Sequence, residues 1–272
     1  YVDRSYCDLP AGNYTVGADG KVLNGVVEKD GVLYLYVNGR TTALGLYEVN
    51  GDYYYSNWGG VLQTNGVYTV ENTYCDLPAG EYEFGADGKM LNGIVEIDGT
   101  LYLYVNGALA KSALCEIDGD YYCASSAGIL RTDGVYYASV TYCDLPVGNY
   151  TFGADGKMLN GLVEKDGAVY LYLNGKTASC GLYEVDGDYY NSYWGGVIKT
   201  NGTYYVNTSY CDLSAGNYTF GEDGKMLNGI VTVDTVDYLY INGRTATYGL
   251  YEVDGAYYYV NWGGEIQKDG TY

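Results

Sequence analysis

Residues 46–65 read LYEVNGDYYYSNWGGVLQTN. A run of β-formers, LYEV, meets Asn50-Gly51 and is followed by a second run, DYYYS. Asn-Gly between two such runs is the strongest short-range hairpin signal, because both residues of the tight turn must take positive φ. The stretch returns as LCEIDGDYYCASSAGILRTD at 114–133, LYEVDGDYYNSYWGGVIKTN at 182–201 and LYEVDGAYYYVNWGGEIQKD at 250–269. The interval is 68 residues, and the chain of 272 is four times that. Four copies of one unit argue for a repeat array and against a single globular enzyme.

The flanking sequence has the same grammar. Reading from Val26, each copy divides into segments of 20, 20 and 28 residues: 26–45, 46–65 and 66–93 in the first. The outer two carry turns at Lys29-Asp30-Gly31 and Ala86-Asp87-Gly88. Alternation in LYLYV and DYYYS gives strands with two unlike faces, and no segment sustains a 3.6-residue period. The expectation is an all-β chain in which residues 1–272 form one continuous array, a β-solenoid of stacked hairpins with three hairpins (20+20+28) per 68-residue turn and four repeats. One hairpin alone is marginal in water, so each must bury a face on its neighbours. Recurring apolar positions are the candidate core: Leu23, Leu91, Leu159 and Leu227; Val27, Val95, Val163 and Val231; Val49, Ile117, Val185 and Val253. Tyrosines fill layers between hairpins, their hydroxyls reaching solvent or backbone.

Composition excludes several functions. With no histidine, His-based acid–base catalysis and Ser-His-Asp triads are closed to it. Asp and Glu number 34 against 14 Lys and Arg, a net charge of −20, which opposes binding to nucleic-acid phosphates. No apolar run approaches the roughly 18 residues of a membrane span. Spread along the chain, the charge favours solubility and suits a secreted or cell-surface protein. Of 44 aromatic residues 38 are Tyr, which with 41 Gly and three Pro fits many short strands joined by glycine turns.

YTFGADGKMLNG (Tyr150–Gly161) and GLYEVDGAYYY (Gly249–Tyr259) resemble the cell-wall-binding repeats, a superfamily that takes in choline-binding modules, glucan-binding repeats and the repeats of large clostridial toxins. The resemblance covers the whole chain. It implies aromatic hairpins of about 20 residues wound into a β-solenoid, three per turn in the choline type, at a bacterial cell surface, with ligands held in aromatic cages between successive hairpins. In the choline-type pattern one Trp opens the first strand and another begins the second; here the first-strand positions correspond to Val26 and Leu46 and the second-strand ones to LYLY or DYYY, a departure that speaks against a choline cage.

Tryptophan survives only as Trp58, Trp194 and Trp262, each before Gly-Gly, with Ser126 in the second copy. These rings could stack on sugar faces with Tyr55 and Tyr259 beside them and Asn57 and Asn261 donating hydrogen bonds. Alternatively, each Trp covers a hairpin edge above the Gly-Gly bend. Carboxylates recur once per copy, as Glu48, Glu116, Glu184 and Glu252, and Asp19, Asp87, Asp155 and Asp223. A glycosidase needs one unequal pair of acids in a cleft, so these read as solvated faces and turn formers. The calcium-binding nonapeptide is absent. No catalytic residue, metal site or cofactor is expected.

Seven cysteines remain. Cys7, Cys75, Cys143 and Cys211 lie 68 apart, and a turn of two strands rises about 10 Å, beyond the ~7 Å reach of a disulfide. Each is expected to be a buried thiol or to pair sideways with another chain. Cys115 and Cys123 flank Asp118-Gly119, where a cross-strand disulfide is plausible unless a strict two-residue turn puts them on opposite faces. Cys180 has no evident partner.

The last residues, GTY, run into the first, YVDRSYC, in the register of Gly202–Cys211, which suggests an uncapped segment of a longer array or end-to-end self-association. Two functions follow as expectations. The first is a non-enzymatic extracellular fibre or stalk. The second is a module binding cell-wall polysaccharide or another carbohydrate through exposed Trp and Tyr. A fibre requires filled pockets; binding requires aromatic pockets open to water.

Overall fold

The computed structural model describes every residue except Tyr6, Cys75, Asp76, Cys143, Cys211 and Tyr272. Among the described residues all regular structure is β, mostly antiparallel hairpins, and no helix is long and apolar enough to cross a membrane. The chain forms two compact units, residues 1–148 with 154–157, and residues 149–153 with 158–272.

In the first unit, β1 (Gly25–Lys29), β2 (Val32–Val37) and the short β3 (Arg40–Thr41) form one sheet. The hairpin β4 (Gly45–Val49) and β5 (Asp52–Ser56) follows, then β6 (Gly66–Val70) paired with β7 (Gly80–Phe84). The three-stranded pattern returns at Gly93–Ile97, Thr100–Val105 and Ala108–Leu109, and the middle hairpin at Leu114–Ile117 and Asp120–Cys123. The second unit repeats all three types, with the last middle hairpin at Gly249–Val253 and Ala256–Val260. The tight turns form as their chemistry dictates: Asp30-Gly31 has φ of 52° and 76°, and Asn50-Gly51 has 57° and 87°, the positive pair whose twist matches the flanking strands.

The third hairpin departs from expectation. Ala86-Asp87-Gly88 does turn, but it folds Lys89–Met90 back onto Phe84 and does not join β6 to β7. That connection is the longer segment from 71 to 79, pinched where the Tyr74 and Leu77 backbones bond each other at 2.9 and 3.0 Å.

Successive hairpins are tied through the backbone. Leu35 N donates to Gly60 O at 2.8 Å and Leu62 N to Leu33 O at 2.9 Å, joining the middle hairpin's tail to the first hairpin. Met90 N donates to Tyr53 O and Glu83 N to Gly107 O, both at 2.8 Å, making the next two joins. The bond to Gly60 recurs from Leu103 to Gly128, Leu171 to Gly196 and Leu239 to Gly264.

These joins decide the core. The second strand of each hairpin is flanked on both edges, so Leu35, Leu103 and Leu171 are 0% exposed, and Phe84, Phe152 and Phe220 are likewise buried. The three series headed by Leu23, Val27 and Val49 are only half-buried. Val27 and Val49 lie on first strands, whose outer edge lacks that cover. Tyrosine hydroxyls reach backbone as expected: Tyr68 donates to Thr64 O at 2.7 Å, Tyr82 to Pro78 O at 2.5 Å and Tyr204 to Thr200 O at 2.7 Å.

Leu103→Ala should therefore cost about 2–5 kcal/mol in urea unfolding through the cavity it leaves, whereas Ile94→Ala, at a side chain 39% exposed, should cost under about 1 kcal/mol. Equal losses at the two positions would overturn this assignment of the core.

Candidate functional site

The Gly-Gly bend explains where the tryptophans stand. In the loop 57–60, Asn57 N donates to Val61 O at 2.9 Å and Gly60 N to Asn57 O at 3.1 Å. Gly60 has φ of +80°, and a Cβ there would lie 3.0 Å from Thr42 N and 3.1 Å from Leu35 O, so only glycine lets the loop approach the neighbouring hairpin. The bend presses Gly60 inward, while Gly59 and the tryptophan before it stand in water. Trp58, Trp194 and Trp262 are 75%, 80% and 79% exposed.

Below Trp58 is an open cleft of about 440 Å³, between the middle hairpin and the segment after β6. Leu44, Tyr47, Tyr55, Trp58, Glu71 and Tyr74 are among the residues lining it. Tyr55 stacks on Phe84 with centroids 6.1 Å apart, and its hydroxyl donates to Thr69 O at 3.2 Å. Tyr47 and Tyr74 close one wall at 5.9 Å. The floor is fixed by core packing, while the indole is free to meet a ligand.

The same place in the fourth copy gathers three rings. Tyr248 stacks on Trp262 at 5.4 Å and 19°, and meets Tyr259 edge-on at 5.4 Å. Sequence reasoning named Trp262 and Tyr259 but missed Tyr248, since its counterparts are Leu44, Ser112 and Cys180 and no pattern marks the position. Tyr47 and Tyr74 were missed among the many tyrosines. The asparagines serve their own bends: Asn57 Oδ1 accepts from Val61 N at 3.2 Å, and Asn261 Oδ1 from Gly263 N at 2.8 Å and Glu265 N at 3.1 Å. Asn261 Nδ2 is also engaged, by Glu265 Oε2 at 3.0 Å.

In the second copy the cleft persists at about 270 Å³ without the indole and the ring of position 55, while Tyr136 and Tyr137 line it and the Arg131 guanidinium lies 5.1 Å from the Tyr136 ring centroid. Cys123 stands for Tyr55, Ser125 for Asn57 and Ser126 for Trp58. Cys115 and Cys123 are both free and buried, which corrects the expectation of a disulfide. The register pairs Cys115 with Tyr122 and Leu114 with Cys123 across a strict two-residue turn, so the two sulfurs face opposite sides of the hairpin. Cys115 packs in the core with Leu103 and Leu130, whereas Cys123 lines the cleft. Burial pushes both thiols above their ordinary pKa; the Cys115 shift is reinforced by Cys123, and Arg131 opposes the Cys123 shift.

Cys7 is free and exposed, which corrects the expectation of a buried thiol; among the described residues the first strand begins only at Gly25. Cys75, Cys143 and Cys211 lie outside the described residues.

No family model matches the chain, and no curated protein does. Among solved structures it is similar to choline-binding proteins of Streptococcus pneumoniae, in keeping with the resemblance in its repeats. CbpJ shares 18% identity over 93% of this chain and 96% of that one, with a TM-score of 0.40. Choline-binding protein F, solved with a peptidoglycan analogue, shares 18% over 90% and 98% at 0.39. The modular autolysin LytC shares 16% over 90% of this chain and 53% of its own, at 0.38. At such scores the likeness is one of repeated hairpins and assigns no residue a role.

Alkylation mapped by mass spectrometry tests the thiol environments. Cys7 and Cys180, both exposed, should label first near neutral pH, and Cys115 and Cys123 should resist until denaturant is added, because a raised pKa and burial both withhold the thiolate. Early labelling of Cys115 would contradict its placement.

Proposed function

We propose that this chain is a non-catalytic binding module for bacterial cell-wall polysaccharide or a related carbohydrate at the cell surface. Its hairpins follow one another as a β-solenoid, three per 68-residue repeat, and ligand lies across the cleft beneath Trp58 and the corresponding surfaces beside Trp194 and Trp262, with Tyr55, Tyr248 and Tyr259 extending the stacking surface. The observation that carries the reading is the exposure of the three indoles, 75–80% at one repeated position. Tryptophan is on average highly buried. Three indoles held out in water add little to folding, and an exposed aromatic set beside a concave surface marks a place of contact.

The fibre expectation is less well supported. It required filled pockets, and the cleft beneath Trp58 is open. The second copy, with Ser126, contributes no indole, so stacking rests on the other three.

A triple Trp58→Ala, Trp194→Ala, Trp262→Ala variant should lose retention on insoluble cell-wall polysaccharide while its unfolding free energy falls by no more than about 1–2 kcal/mol, as for surface substitutions plus one ring stack. Retention equal to that of the parent chain would overturn the proposal.

A further inference from the structure

The four copies are not alike in charge at this place. Position 63 is occupied by Gln63, Arg131, Lys199 and Gln267 in the four copies. In each, its backbone N donates at 2.8 Å to the residue at position 55: Tyr55, Cys123, Asn191 and Tyr259. The frame is therefore constant and the side chain varies on it. Across the cleft the change is matched. Glu71 lines the first cleft, and its counterparts are Ser139 in the second copy and Asn207 in the third. Where the cation enters, the facing carboxylate leaves.

The second cleft holds the Arg131 guanidinium with the hydroxyl-bearing Ser112, Ser125, Ser126 and Ser139, and no Asp or Glu lines it. In the third copy Lys199 is only 8% exposed, with its ammonium 4.9 Å from the Tyr193 ring centroid and 5.5 Å from that of Tyr204. Beside it the Nδ2 of Asn191, a residue 1% exposed, has no hydrogen-bond partner. Among the described residues no carboxylate lies within 4.0 Å of Arg131 or Lys199, although four lysines elsewhere pair with aspartates at 2.5–2.7 Å. A largely buried lysine whose ammonium meets two tyrosine rings and no counter-ion, next to a buried amide donor without a partner, leaves donors that an anionic group would complete. The field of a chain at −20 repels anions at a distance, so such a ligand needs local donors of this kind.

We infer that the second cleft, and the matching surface around Lys199 in the third copy, take an anionic group, a carboxylate or phosphate borne on the glycan, with Arg131 and Lys199 as its counter-charges, while the matching surfaces of the first and fourth copies take uncharged sugar. The inference rests on the carbohydrate-binding reading and divides its sites by charge. Guanidinium and serine hydroxyls suit the several acceptor oxygens of such a group, and the two rings around Lys199 leave room for a sugar face beside the charge.

The test is a titration of the full chain, followed by backbone amide resonances, with glucose, glucuronate and glycerol phosphate as probes. Glucuronate or glycerol phosphate should shift amides around Ser126 and Tyr204 where glucose does not; whichever acts tells carboxylate from phosphate. Arg131→Gln, which installs the residue of the first and fourth copies, should weaken the anion at the second cleft by at least about tenfold and leave the third copy unchanged. Lys199→Gln should do the converse. Urea midpoints establish that each variant folds, and the Arg131 variant stands alone if the Lys199 variant does not. Equal shifts from glucose and glucuronate, no shift from either anion, or anion binding unchanged in Arg131→Gln would overturn the inference. Anion binding in the two middle copies with no polysaccharide retention through the tryptophans would sustain it and overturn the wider reading instead.

Discussion

The backbone hydrogen bonds that tie each hairpin to the next are the constraint on which the rest depends. A lone hairpin cannot bury enough surface to persist in water. Here the few residues after each hairpin bond both to that hairpin and to its predecessor, as Val61 and Leu62 do with Tyr34 and Ser56. Because these joins use main-chain atoms, they recur wherever the glycine bend recurs, whatever side chain stands beside it. The bond from Leu35 to Gly60 survives in the second copy although Trp58 has become Ser126.

That separation of frame from decoration explains how one repeat can carry unlike clefts. The buried leucine and phenylalanine positions are nearly invariant across the copies, since the packed interior punishes any change of volume. At the cleft positions the copies differ most: the exposed Leu44, Ser112, Cys180 and Tyr248 at one site, and the half-buried or buried Tyr55, Cys123, Asn191 and Tyr259 at another. Exposed ion pairs such as Lys89 to Asp52 at 2.7 Å sit outside both sets and add little to stability.

Much of the fold was legible in the amino-acid sequence because turn chemistry is local. Asn50-Gly51 and Asp118-Gly119 announce their hairpins without reference to the rest of the chain, and the 68-residue interval announces the repeat. What was not legible depends on which strand gains a neighbour on its second edge. Val27 and Leu35 look alike as apolar residues in alternating runs, yet only Leu35 is enclosed, on a strand whose Leu35 N donates to the carbonyl of Gly60. The same holds at the clefts. Trp58 was conspicuous by type, while Tyr74 reaches the first cleft only because its segment is pinched onto Leu77. Asn57 and Asn261 were read as ligand donors; both oxygens serve the bends, and at Asn261 the Nδ2 is also taken, by Glu265.

The most direct test of the account is a titration of the folded chain with soluble cell-wall polysaccharide, followed through the three indole N–H resonances. Binding at the repeated position predicts that Trp58, Trp194 and Trp262 all shift, while amides of buried residues such as Leu35 and Leu171 stay in place. Saturating polysaccharide that leaves all three indole signals unmoved would contradict it.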